Sequence, residues 1–172
     1  MNLQSTDFEL FGVPAQFAQD RAALDARWKD LQREAHPDKF AAQGAAAQRV
    51  AMQWSVRINE AYQRLKDPLK RASYLCELNG APINAETNTA MPTDFLMQQM
   101  EWREALDEAG DMTALEALAT EVTQHERAQL TTIGRAIDEA KDFSSAAGQV
   151  RSLMFMQRFA SEVDARIDQL GQ

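Results

Sequence analysis

His36 and Asp38 flank Pro37 in the stretch "QREAHPDKFA", Gln32 to Ala41. An imidazole and a carboxylate two residues apart could serve acid–base catalysis, hold a metal, or make contact with another protein. Nucleophilic catalysis needs a nucleophile beside the base and a third group to orient it. No serine stands in a strained elbow or a glycine-rich turn. The one cysteine, Cys76, lies in a predicted helix among Leu75 and Leu78 and reads as a small core hydrophobe. A metal site lacks ligands. The second histidine, His125, falls on a distant helix as a core-edge or surface residue, and no spaced ligand set accompanies it. No glycine-rich phosphate loop is present. No catalytic residue, cofactor or metal is therefore expected.

The remaining reading is an exposed recognition loop. Pro37 fixes the backbone, and Asp38 can accept from nearby backbone N–H groups and shape the turn. His36 ends a helix, where its ring can project. Lys29, Arg33 and Lys39 add local positive charge. A plain turn between two helices fits the same spacing equally well.

Two helices must position this loop. From Asp20 to Ala35, Leu24, Trp28, Leu31 and Ala35 make one apolar stripe, with Lys29 and Arg33 roughly opposite. Pro37 stops that helix, because the residue before proline is pushed out of helical geometry. From about Ala45 to Leu65, Val50, Trp54, Ile58, Ala61 and Leu65 form a second stripe. Together they predict an antiparallel hairpin. A short helix continues from Pro68, with Asp67 as its cap.

The segment "NGAPINAETNTAMPTD" is rich in helix breakers and predicts a connection without its own core. Beyond it the pattern predicts three helices, at about Asp94–Ala109, Thr113–Lys141 and Ala146–Leu170, with Thr93 or Asp94 capping the first. Leu115, Leu118, Val122, Ile133, Ile137 and Ala140 face inward on the second. Leu153, Met156, Ala160, Val163 and Ile167 face inward on the third. Short connections imply an antiparallel three-helix bundle. The expected fold is all-α, with boundaries at 1–78, 79–93 and 94–172.

Charge divides unevenly over the 172 residues. Residues 1–78 hold 11 Lys/Arg and 10 Asp/Glu, whereas residues 79–172 hold 7 and 16. So acidic a C-terminal half argues against a nucleic-acid platform. No apolar run approaches membrane-spanning length, and the N-terminus lacks the basic and apolar segments of a secretory signal. A single cysteine fits a reducing compartment.

The loop and the helices after it together carry a resemblance. After "HPDKF" come Asn59-Glu60-Ala61-Tyr62, Leu65, Asp67-Pro68, Lys70-Arg71-Ala72 and Tyr74. This order closely resembles a J-domain, the module that acts on DnaK-type ATPase chaperones. The chain departs from the commonest pattern in opening with "DFELFGVP" and in placing Trp28 where tyrosine is frequent. The later "DFLMQQMEWREALDEAG", with no glycine-rich segment between, resembles the HscB family, the J-proteins of iron–sulfur cluster assembly. The similarity is strongest over Phe8–Leu78 and Asp94–Glu108. The zinc-binding cysteines of some eukaryotic relatives are absent.

The helix from Asp94 carries more apolar residues than one core face can use. Phe95, Trp102, Leu106 and Ala109 fall on one side, and Leu96, Met97 and Met100 fall away from it beside Glu104. Phe155, off the inward stripe of the last helix, can join them. These residues either form an exposed protein-binding patch or pack elsewhere; periodicity does not separate the two.

The resemblance implies a co-chaperone without a reaction of its own. His36, Pro37 and Asp38, with Lys29, Arg33 and Lys39, would engage the chaperone HscA and stimulate its ATPase. Leu96, Met97, Met100, Glu101, Glu104, Glu108 and Phe155 would hold the scaffold protein IscU, with Gln98 replacing a frequently acidic residue. The implied setting is the bacterial cytoplasm, with neither nucleic acid nor membrane as partner. A J-protein serving a different client is the alternative.

Overall fold

Residues 2–172 are described by a computed structural model, and every regular element among them is helical. The chain divides into two compact units, Met1–Leu75 and Cys76–Gln172.

The first unit holds α1 (Asp7–Phe11), α2 (Arg21–Ala35), a 3-10 segment (Pro37–Gln43), α3 (Ala45–Lys66) and the start of α4 (Pro68–Leu78). Asp20 starts α2 by accepting from the backbone N–H of Ala22. Leu24 and Leu31 on α2 meet a buried face of α3 that includes Ile58, Ala61 and Leu65. Trp28 is only half-buried and stacks on Tyr62 at 4.7 Å between ring centroids. Asp67 caps α4 as expected, accepting from Leu69 at 2.9 Å.

Val50 departs from the expected inward stripe, being 51% exposed. It lies early on α3, beside the end of α2 and the irregular 3-10 segment. There it lines an open apolar groove with Leu31, Phe40 and Trp54.

Periodicity predicts neither α1 nor its role. Asp7 is fully buried and receives Arg57 Nη2 at 2.8 Å and both arms of the Arg64 fork at 2.6 and 2.9 Å. Its backbone N–H donates to the Tyr74 hydroxyl at 3.0 Å. One carboxylate thus ties α1 to α3, its own backbone reaches α4, and it holds the Arg64 guanidinium in its charged form.

The second unit contains α5 (Thr93–Glu108), α6 (Met112–Asp138) and α7 (Phe143–Leu170). Leu115, Val122, Ile133 and Ile137 of α6 pack with Val150, Leu153, Met156 and Val163 of α7 as its interior. Phe95, Trp102 and Leu106 are the buried residues of α5.

Three boundary expectations are corrected. Neither Thr93 nor Asp94 caps α5: Thr93 is the first helical residue, and Pro92 before it offers no side-chain cap. Helix α6 stops at Asp138 rather than Lys141, because the chain must reverse before Asp142 caps α7 through Ser145 N–H. Lys141 accordingly turns to φ 53°, and Ala140, expected inside, is exposed. Helix α7 then begins at Phe143, earlier than expected. The connection 79–93 is also not bare. Ile83 is buried, and the buried Arg151 donates to the carbonyls of Ile83 and Ala90 at 2.9 and 3.0 Å.

Candidate functional site

The loop between α2 and α3 stands on a stiff base. Tyr62 donates to Asp25 at 2.6 Å, and this bond, with Arg21 beside it, holds the Asp25 carboxyl below the usual range. Closer to the loop, Gln32 accepts from Ser55 Oγ at 2.8 Å and donates to Ser55 O at 3.2 Å. The hairpin is therefore pinned by side chains on both sides of Leu31.

At the tip, His36 is extended at φ −62°, ψ 128°, as the proline after it requires. Its Nδ1 accepts from the Asp38 backbone N–H at 3.2 Å. The expected roles are thus exchanged: the histidine, not the aspartate, caps the turn. With Nδ1 occupied as an acceptor, the neutral ring carries its proton on Nε2. The Asp38 side chain is 92% exposed, with the His36 ring nitrogen 3.6 Å from its Oδ2. Lys29, Arg33 and Lys39 are all at the surface, with Arg33 loosely paired to Asp30 at 3.5 Å. Little of this chemistry is consumed by the fold, and no nucleophile adjoins it. Cys76 is fully buried, and desolvation pushes its thiol up to about 11.

The second candidate surface lies on α5 and α7. Leu96, Met97 and Met100 are 45%, 66% and 73% exposed. Glu101, Glu104 and Glu108 are also exposed. Phe155 is half-buried, edge-on to Phe95 at 5.7 Å and stacked on Phe159 at 6.1 Å. Met100, Glu104, Glu108 and Phe155 line one open groove of about 530 Å³. Leu96, Met97 and Glu101 stand on the same helix but outside that groove. Reading the sequence missed Arg103, which also lines it. The available signal was that Arg103 is the one basic residue within α5.

His125 is half-buried, bonded through Nδ1 to the Glu121 carbonyl at 2.9 Å and edge-on to Trp102 at 5.0 Å. Among the described residues no group of three His, Cys, Asp or Glu could hold a metal, and no helix is long and apolar enough to cross a membrane.

A family model described as the HSCB C-terminal oligomerisation domain matches residues 91–164. A "Co-chaperone protein HscB homolog" of Burkholderia multivorans is 51% identical over 99% of this chain and 98% of its own length. Its counterpart in Burkholderia cenocepacia is 50% identical with the same coverage. Among solved structures, chaperone HscB from Vibrio cholerae has a TM-score of 0.81 at 38% identity, covering 96% of this chain and 99% of its own. The human co-chaperone protein HscB has a TM-score of 0.87 at 26% identity, covering 96% of this chain and 84% of its own. Likeness over nearly the whole length, joined to an exposed His-Pro-Asp turn, leads to one assignment: the chain belongs to the HscB family, the J-domain co-chaperones of iron–sulfur cluster assembly.

Proposed function

We propose that this co-chaperone stimulates the ATPase of the DnaK-type chaperone HscA and delivers the scaffold protein IscU to it, in the bacterial cytoplasm. In this reading residues 1–78 act as the J-domain and residues 94–172 as the client-binding bundle, joined through 79–93. The observation that carries it is the coexistence of two unused surfaces in one chain: the exposed His36–Asp38 turn and the exposed Leu96–Met97–Met100 strip.

The turn presents an N–H donor at His36 Nε2, a free carboxylate at Asp38 and the cations Lys29, Arg33 and Lys39. These groups suit directional docking on a charged surface of the ATP-bound chaperone, favouring its hydrolysis-competent state. The nucleotide chemistry then belongs to HscA. The strip, its acidic margin and Phe155 suit an apolar client surface edged with basic residues. One chain that binds both partners raises the effective concentration of client at the chaperone.

The test is steady-state ATPase of HscA with this protein, with and without IscU. Stimulation by the protein alone, increased further when IscU is added, is the expected result. Stimulation without any response to IscU would leave a J-protein serving a different client. No stimulation would end the HscA assignment. Charge steering further predicts that stimulation weakens as ionic strength rises from about 0.1 M to about 1 M, where the Debye length falls from ~10 Å to ~3 Å.

A further inference from the structure

Arg103 is the one cation among the acidic side chains of α5: Asp94, Glu101, Glu104, Asp107 and Glu108. A basic residue in a groove meant for a basic client surface works against attraction unless its charge is occupied. It is occupied. Arg103 reaches α7 and grips Glu162 with both arms of its fork, Nη1 to Oε2 at 2.6 Å and Nη2 to Oε1 at 3.3 Å. The pair holds the Glu162 carboxyl below its ordinary range.

The same guanidinium lies over the Phe159 ring, 5.2 Å from its centroid. Phe159 is 1% exposed and stacks on Trp102 of α5 at 5.8 Å and on Phe155 at 6.1 Å. A continuous line therefore runs from Arg103 through Phe159 to Phe155, the aromatic residue of the groove. Both members of the ion pair are about half exposed, at 45% and 50%. Such a pair adds little to global stability. A bidentate fork nevertheless fixes direction and spacing, which a single point charge does not. What it fixes here is the approach of α5 to α7 along the groove.

We infer that Arg103 is a positioning residue of the client groove: paired with Glu162 and stacked on Phe159, it sets the spacing between the Met100 side of α5 and Phe155 of α7. This rests on the reading of the groove as the client site. It assigns Arg103 no direct contact with the client.

The experiment measures affinity for purified IscU by calorimetry with Arg103→Gln, Glu162→Gln, the double variant and Arg103→Lys. Met100→Ala, within the groove, is run in parallel. Positioning through the pair predicts that both single Gln variants weaken binding roughly fivefold. The double variant should be no weaker than either single one, and Arg103→Lys should fall short of the native affinity. A purely electrostatic role moves the single variants in opposite directions, since one makes the groove more negative and the other less. That result overturns the inference, as does native affinity in Arg103→Gln or Arg103→Lys, or additive losses in the double variant. Melting temperatures within about 2 °C of the native protein establish that the variants fold. Unchanged affinity in Met100→Ala removes the client reading of the groove itself. Weakening in Met100→Ala with native affinity in the Arg103 variants removes only the positioning role.

Discussion

The His36–Asp38 turn and the α5–α7 groove face solvent for different physical reasons. The turn is polar and small. Its backbone is fixed by Pro37 and by the His36 cap, and the Gln32–Ser55 bonds hold the helices beneath it. Its recognition depends on a few directional groups. The groove is apolar and broad, built on helix faces and an aromatic stack, with carboxylates at its edge. Its recognition depends on area. Loss of one group should disable the first surface, whereas the second should weaken in steps.

The sharpest test of that contrast is His36→Gln or Asp38→Asn. Either should reduce HscA stimulation to near the unstimulated rate while leaving IscU affinity unchanged. Glutamine places its amide near the Nε2 position and gives up the Nδ1 cap, a single exposed bond, while Pro37 still holds the backbone; asparagine matches aspartate in shape, so the fold should persist in both. Partial, graded stimulation in both variants would erase the difference between the surfaces.

The next largest effect concerns stability. Asp7→Ala leaves Arg57 and Arg64 without the buried carboxylate that binds α1 to α3. Breaking a buried ion pair from one side costs about 3–5 kcal/mol. Denaturant unfolding followed through signals of the first unit should register that loss. If the loss is instead small, the first unit does not depend on this cluster, and the α2–α3 hairpin rests on its own packing and on the Tyr62–Asp25 and Gln32–Ser55 bonds.

Replacing Leu96, Met97 and Phe155 together by Ala should weaken IscU binding by about 2–3 kcal/mol, or roughly 30- to 150-fold. Each single change should give only part of this. One residue accounting for the whole loss would make the α5–α7 surface resemble the turn, and the contrast between area and point recognition would fail.

The sequence made the two long helix pairs legible because their stripes repeat over many turns. Leu24, Leu31, Ile58 and Leu65 all lie inside, as do Leu115, Val122, Leu153 and Val163. Short-range decisions were harder to read. Val50 fits the stripe of α3, yet it lines an open groove beside the last turn of α2. Ala140 continues the pattern of α6, yet the reversal before Asp142 takes it out. Nothing in periodicity marks Asp7, because its buried ion cluster joins it to residues 50 and 57 positions away, Arg57 and Arg64. At the turn the relevant residue types were visible, but which of His36 and Asp38 would cap depended on backbone angles. Phe155 and the α5 strip were legible as surplus apolar residues. The Arg103–Glu162 clamp was not, since nothing in spacing aligns residues of two different helices.

The smallest predicted effect lies on α6. Glu126 on α6 is half-buried, its Oε1 has no hydrogen-bond partner, and desolvation together with nearby Asp164 raises its pKa. A carboxyl raised in the folded state favours folding where it is protonated and opposes it where it is charged. The penalty is therefore absent below the ordinary carboxylate range and develops as pH rises through the folded-state value. Glu126→Gln removes the charge without changing the shape. It should raise the melting temperature by about 1 °C at neutral pH. That gain should vanish in acid, where the native glutamate is protonated in both states. A gain that persists unchanged in acid would place its origin in packing. A loss at neutral pH would mean that the charged carboxylate is stabilised by its surroundings, and the second unit would then share with the first a structural use for a partly buried acid.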